Sequence, residues 1–141
     1  MLPPDHIKHF VQNTLGGGCP EDVFRSIEAP QNVRIHSFLV LESAIIIGNR
    51  LLIYIAQAGS AGCIEEHLPV LVTRGRKERD EKGLNRFRLA LVSDLPDEVR
   101  HAVERQFEEL RGMDEKVHLH VIRKSDLFFT AADAKGKRTG R

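Results

Sequence analysis

Tryptophan is absent from this sequence, tyrosine occurs once and cysteine twice. Two cysteines, Cys19 and Cys63, are too few for the disulfide framework of a small secreted domain, and their spacing matches no zinc-ligand pattern. Long apolar runs are also missing. The longest, Ala44–Ile47 and Leu51–Ile55, fall far short of the roughly 20 residues that cross a bilayer as a helix, so no membrane partner is expected. The opening Met1-Leu2-Pro3-Pro4-Asp5-His6 shows no charged segment ahead of an apolar one. No secretory leader is visible, and a cytoplasmic location is the expectation. An excess of one charge is lacking too: 21 Lys+Arg against 20 Asp+Glu leave a net charge of +1. Proteins that live on phosphate contacts carry a basic excess, so the balance argues against a nucleic-acid partner while leaving room for a local basic patch.

What is present suits one ordinary core. The chain has 141 residues, 41% of them hydrophobic, which is the size and composition of a single globular domain. Residues 1–130 are read as that domain and 131–141 as a flexible basic tail.

Periodicity then assigns the elements. Ile7, Phe10, Val11 and Leu15 share one helical face after Asp5, and Gly16–Gly18 end that helix. Pro20, Glu21 and Asp22 suit the first turn of a second helix, with Val23, Phe24 and Ile27 on its buried side. From Val33 the period becomes two: Val33, Ile35, Leu39 and Leu41 alternate with polar residues as one half-buried strand. Ala44–Ile47 and Leu51–Ile55 flank Gly48-Asn49, a hairpin signal in which both turn residues take positive φ. Residues 63–82 suggest a helix, which Pro69 should kink or delay. Phe87–Val92 and Val117–Ile122 read as strands on either side of an amphipathic helix over 96–111, closed by Gly112. The expected fold is α/β, with α+β as the alternative: a mixed sheet of about five strands, order ααβββαβαβ, with helices packed on it. Strands joined through helices run parallel, so 51–122 should form a β-α-β-α-β unit.

Four places are candidates for chemistry. In Gly16-Gly17-Gly18-Cys19-Pro20, a helix N-terminus would lower the thiol pKa, making Cys19 a candidate nucleophile and Gly17 and Gly18 candidate ligand contacts. Glu21 and Asp22 oppose that effect, and a glycine turn beside a packed cysteine is the plainer account. At the carboxyl ends of the parallel strands, Gly59, Ser60, Cys63, Ser93 and Asp94 would converge on one crevice; helix capping is the alternative for Ser60 and Asp94. His118 and His120, two apart on a strand, point the same way and are the candidate metal ligands. They also suit the wetter face of an edge strand. The basic residues Arg74, Arg76, Lys77, Arg79, Lys82, Arg86 and Arg88 could meet phosphates, yet acids interleaved at helical spacing make a solvated helix end the simpler reading.

Two functions remain open at this level. One is a small-ligand-binding or thiol-dependent protein with a site at a Gly-rich helix start, taking a small anionic ligand. The other is a non-catalytic interaction module acting as a homodimer or docking a partner. No motif implies a cofactor, and nothing identifies a reaction.

Overall fold

A computed structural model describes residues 7, 10–11, 27–36, 39–58, 61–123 and 125. Of the two expected N-terminal helices, the described residues include Ile7, Phe10 and Val11 of the first and Ile27 of the second. Ile27 is not helical but lies in a strand, where pairing with Ile47 overrides the helical spacing. The 131–141 tail falls outside the described residues. The described elements are β1 (Ile27–Glu28), β2 (Gln31–His36), β3 (Leu39–Ile47), β4 (Leu51–Gln57), α1 (Ala61–Glu81), β5 (Arg86–Val92), α2 (Pro96–Arg111) and β6 (Val117–Ile122). They form one mixed sheet in the order β1-β3-β4-β5-β6, with β2 also paired to β3.

The alternation that predicts one strand from Val33 to Leu41 belongs to two. The chain reverses between β2 and β3, which pair antiparallel with His36 opposite Leu39. A period of two survives such a reversal, so the pattern alone conceals it. β3 then runs unbroken to Ile47 because it has partners on both flanks, β1 and β2 on one and β4 on the other. Buried Ser43 fixes this flank. Its hydroxyl and the Ala44 N–H both donate to the Pro30 carbonyl, at 2.9 and 3.1 Å, where β1 gives way to β2. The β3–β4 hairpin closes at Gly48 and Asn49, whose φ values of 58° and 57° are those the sequence requires there.

β4, β5 and β6 are parallel neighbours in chain order. Crossovers of one hand therefore place α1 and α2 on the same face of the sheet. Leu52, Tyr54, Phe87, Leu89 and Leu91 meet Ile64, Leu68, Leu71, Val99, Val103 and Phe107 there in one cluster. On the opposite face Ile45, Ile47, Leu51, Ile53, Ile55 and Val92 bury against Ile7, Phe10 and Val11. β4 is covered on both sides, which is why it reads as a continuous apolar run.

Pro69 neither ends nor delays α1, which runs as one helix over Ala61–Glu81. A proline lacks the N–H that the carbonyl four residues earlier would accept. That carbonyl, on Glu65, takes the Gln106 side-chain amide of α2 instead, at 3.1 Å. Gly75, also inside α1, lies flat against Phe87: a Cβ there would fall 2.0 Å from the ring. The two residues that weaken this helix in the sequence are the two that let it pack.

Candidate functional site

The charged run at the end of α1 is not merely a solvated surface. Arg79 is 8% exposed; its guanidinium reaches Asp114, in the turn between α2 and β6, at 2.8 Å, and Arg76 joins the same carboxylate at 3.3 Å. The Arg79 hydrogen bond holds the Asp114 carboxyl below its usual range, against the opposing effect of burial. Nearby, fully buried Tyr54 donates to Glu78 and stacks edge-on against Phe87. Burial of Tyr54 and the neighbouring Glu78 carboxylate raise the phenol pKa. Burial pushes the Glu78 pKa up, but hydrogen bonds from Lys82 and Tyr54 outweigh it and leave it lowered. These contacts pin α1 to the sheet and to the α2–β6 turn, and they expose no reactive atom.

The strand ends are the second candidate. Parallel β4 and β5 do bring Gln57 beside Val92. Ser93 is buried, however, and its hydroxyl accepts the Leu95 N–H at 3.0 Å, closing the turn into α2. Asp94 is exposed on that turn, and Cys63 lies in the first turn of α1. Gly59 and Ser60 lie outside the described residues, as do Gly17, Gly18 and Cys19. Ligand crevices in open parallel sheets form where the strand order reverses and crossovers leave for opposite faces. Here β4, β5 and β6 follow one direction and both helices share a face, so among the described elements no such reversal opens one.

The third candidate is where the register does something the sequence does not display. His118 and His120 share a face of β6, as their spacing predicts, and the face is the one opposite the helices. Directly beside them, on the same face of β5, are Arg86 and Arg88. Arg88 sits opposite His118 and Ala90 opposite His120. Each guanidinium leans one step along the ladder: Arg86 donates to His118 Nε2 at 3.3 Å, and Arg88 to His120 Nε2 at 2.9 Å. An imidazole that accepts at Nε2 is neutral, with its proton on Nδ1. Electrostatics agree. Burial, then the charges of Arg88, Arg86 and Arg111, lower the His118 pKa, with Asp114 opposing. For His120, burial, followed by Arg88 and His118, pushes it down to about 4.

β6 ends the sheet, and α2 guards its free edge. Arg111 donates to the Val117 carbonyl and Arg100 to the Val121 carbonyl, both at 3.0 Å. The cleft between α2 and this edge, of about 270 Å³, is lined by Arg100, Glu104, Glu108 and Arg111 on one side and by His118 and His120 on the other. Phe107, Leu119 and Val121 also line it, so the cleft opens on the helix side of this edge, and Arg86 and Arg88 are not among its lining residues. Both histidines are half-buried.

The surroundings of the two histidines favour an anion over a metal ion. A cation would meet Nε2 lone pairs already engaged by guanidinium N–H groups, and the repulsion of two arginines. Among the described residues no group of three His, Cys, Asp or Glu is placed to hold a metal. Arg86 and Arg88 were visible in the sequence only as the end of a basic run. Their signal was the pair of i, i+2 polar patterns, Arg-Phe-Arg and His-Leu-His, at the starts of two consecutive strands. Comparison with protein-family models, with curated proteins and with solved structures finds no match for the chain.

Proposed function

We propose that this protein binds an oxyanion of the phosphate class on the sheet face formed by Arg86, Arg88, His118 and His120. One observation carries the reading: parallel register sets two arginines against two neutral imidazoles on a half-buried face. Arg86 and Arg88, two residues apart on β5, repel one another weakly, because solvent screens the exposed Arg86. A bound oxyanion turns that repulsion into attraction, with guanidinium and Nδ1–H groups donating to its oxygens. Among the described residues Arg86 makes no ion pair, and its guanidinium contacts His118. The glycine-rich helix starts, the site favoured by sequence alone, lie outside the described residues.

Sulfate is the cleanest probe, because its charge does not change between pH 5.5 and 8. Calorimetry at low ionic strength should show saturable one-to-one binding that strengthens as the pH falls. An anion favours the protonated imidazoles and so raises their pKa, which couples binding to proton uptake. The Arg86→Gln, Arg88→Gln double variant should fold and lose the binding. Absence of saturable sulfate or phosphate binding across this range would overturn the proposal.

A further inference from the structure

We propose that the free edge of β6 docks an extended peptide that carries a basic and an apolar residue two positions apart. The site lies on the helix side of this edge and does not depend on the anion face.

The pairing of β6 with β5 decides which backbone groups remain available. Phe87 and Ser93 donate their N–H groups to the Lys116 and Ile122 carbonyls, each at 3.0 Å. Successive residues of a parallel strand turn their N–H and C=O groups to alternate sides. The even-numbered residues of β6 therefore face β5, and Val117, Leu119 and Val121 face outward. Some of these outward groups are used. The Val117 N–H donates to the Asp114 carbonyl at 3.4 Å, and the Val117 and Val121 carbonyls accept from Arg111 and Arg100. The Leu119 N–H, the Leu119 carbonyl and the Val121 N–H have no partner among the described residues. Such groups are a template for a further strand, and pairing along an edge is a general mode of peptide recognition. The two arginines bracket the open stretch from Val117 to Val121, about 13 Å of strand, so a short segment fills it.

The lining of the cleft says what that segment carries. In antiparallel register, the residue opposite Leu119 exchanges both backbone bonds with it, and its side chain falls on the same face. There it meets Phe107, Leu119 and Val121, so this residue is apolar. The charged groups around it are unequally satisfied. Arg100 pairs with Asp97 at 2.7 Å and Arg111 with Glu108 at 3.1 Å, whereas Glu104 lines the same cleft with no ion pair among the described residues. Arg100 reaches Val121 and Arg111 reaches Val117, so Glu104, one turn from Arg100 on α2, stands on the Val121 side. A basic residue opposite Val121, two positions before the apolar one, complements it. A second copy of this chain fits less well. Two β6 edges paired antiparallel about Leu119 would set Arg100 against the other copy's Arg111 and Glu104 against its Glu108, like charge facing like.

The test is an NMR titration of the whole isotope-labelled chain with blocked synthetic pentapeptides. Acetyl-Thr-Lys-Thr-Val-Thr-amide should shift the Leu119 and Val121 amide signals saturably and slow their hydrogen exchange. Replacing its lysine by glutamate should weaken binding about threefold to fivefold, the worth of an exposed ion pair, and Glu104→Lys should reverse that preference. Methylating the valine nitrogen removes the donor to the Leu119 carbonyl and should weaken binding about tenfold or more. Equal binding of the methylated peptide, or no movement of the two amides, would overturn the proposal. It would fall equally if both amides are already protected from exchange in the free chain. Protection that grows with protein concentration would assign the edge to a second copy, and protection at every concentration to a segment of the same chain.

Discussion

On the helix-covered face of the sheet, Arg79 meets Asp114 and Tyr54 meets Glu78, whereas at the β5–β6 end of the other face guanidinium meets imidazole. Both arrangements bring polar groups out of bulk water, and they differ in what that achieves. A buried cation with a carboxylate and satisfied hydrogen bonds can hold two elements together. Arg79 does so for α1 and the α2–β6 turn. The exposed Arg86 guanidinium, beside a half-buried imidazole, has little to gain in stability from that contact. The first face secures the fold, and this part of the second carries the proposed anion site. If that contrast is right, substitutions on the two faces should separate stability from binding.

The largest loss of stability should come from Phe107→Ala, on the helix face. Phe107 is 2% exposed in the core between α2 and the sheet, and removing the ring should cost about 3–5 kcal/mol in denaturant titration. A loss near zero would mean that this face does not hold the fold. Gly75→Ala should follow, at about 3 kcal/mol or somewhat less, because the new methyl group must displace the buried Phe87 ring. The loss should shrink in a Gly75→Ala, Phe87→Leu double variant, which relieves that collision.

The opposite face should reveal itself through pH. His120 has its pKa lowered to about 4 in the folded protein, against about 6.5 unfolded. The unfolded chain therefore binds more protons between these values, and stability falls as the pH drops from about 6.5 toward 4. The contribution of this one residue is about 2–3 kcal/mol by the bottom of that window. His120→Gln should flatten the dependence of unfolding free energy on pH in this range, and saturating sulfate should flatten it in the wild type. An unchanged slope in the variant would show that other groups govern the acid limb.

Smaller effects sharpen the same contrast. Gln106→Leu should cost about 1 kcal/mol, by leaving the Glu65 carbonyl opposite Pro69 without its donor. Arg86→Gln should change stability by less than about 0.5 kcal/mol in either direction, since an exposed guanidinium bound to a neutral imidazole holds no second element in place. A loss above 1 kcal/mol would make Arg86 a structural residue and weaken its assignment to a ligand.

Much of the fold was legible because its signals are local. Val99, Val103 and Phe107 recur at helical spacing and are buried; Gly48 and Asn49 carry the positive φ of their turn. Pro69 was misleading for a physical reason: its cost to a helix is intrinsic, while the Gln106 amide that offsets it comes from 37 residues away in sequence, measured from Pro69 to Gln106. The reversal between His36 and Leu39 was hidden because a two-residue period is the same in both directions. Of the candidate site, His118 and His120 were legible as a pair on one face, but their partners were not.

The sequence by itself marked β4, β5 and β6 as strands joined by two helices, and therefore as parallel strands linked by crossovers of one hand. Backbone propensity and side-chain period act over a few residues, and those residues are adjacent in the chain. Only the tertiary structure decided that Arg86 and Arg88 stand beside His118 and His120. That depends on the register of β5 against β6, and a shift of one residue would turn the arginines into the helix-covered core. Burial of Phe87, Leu89 and Leu91 on that side fixes the register, and the charged face follows from the packing of the apolar one.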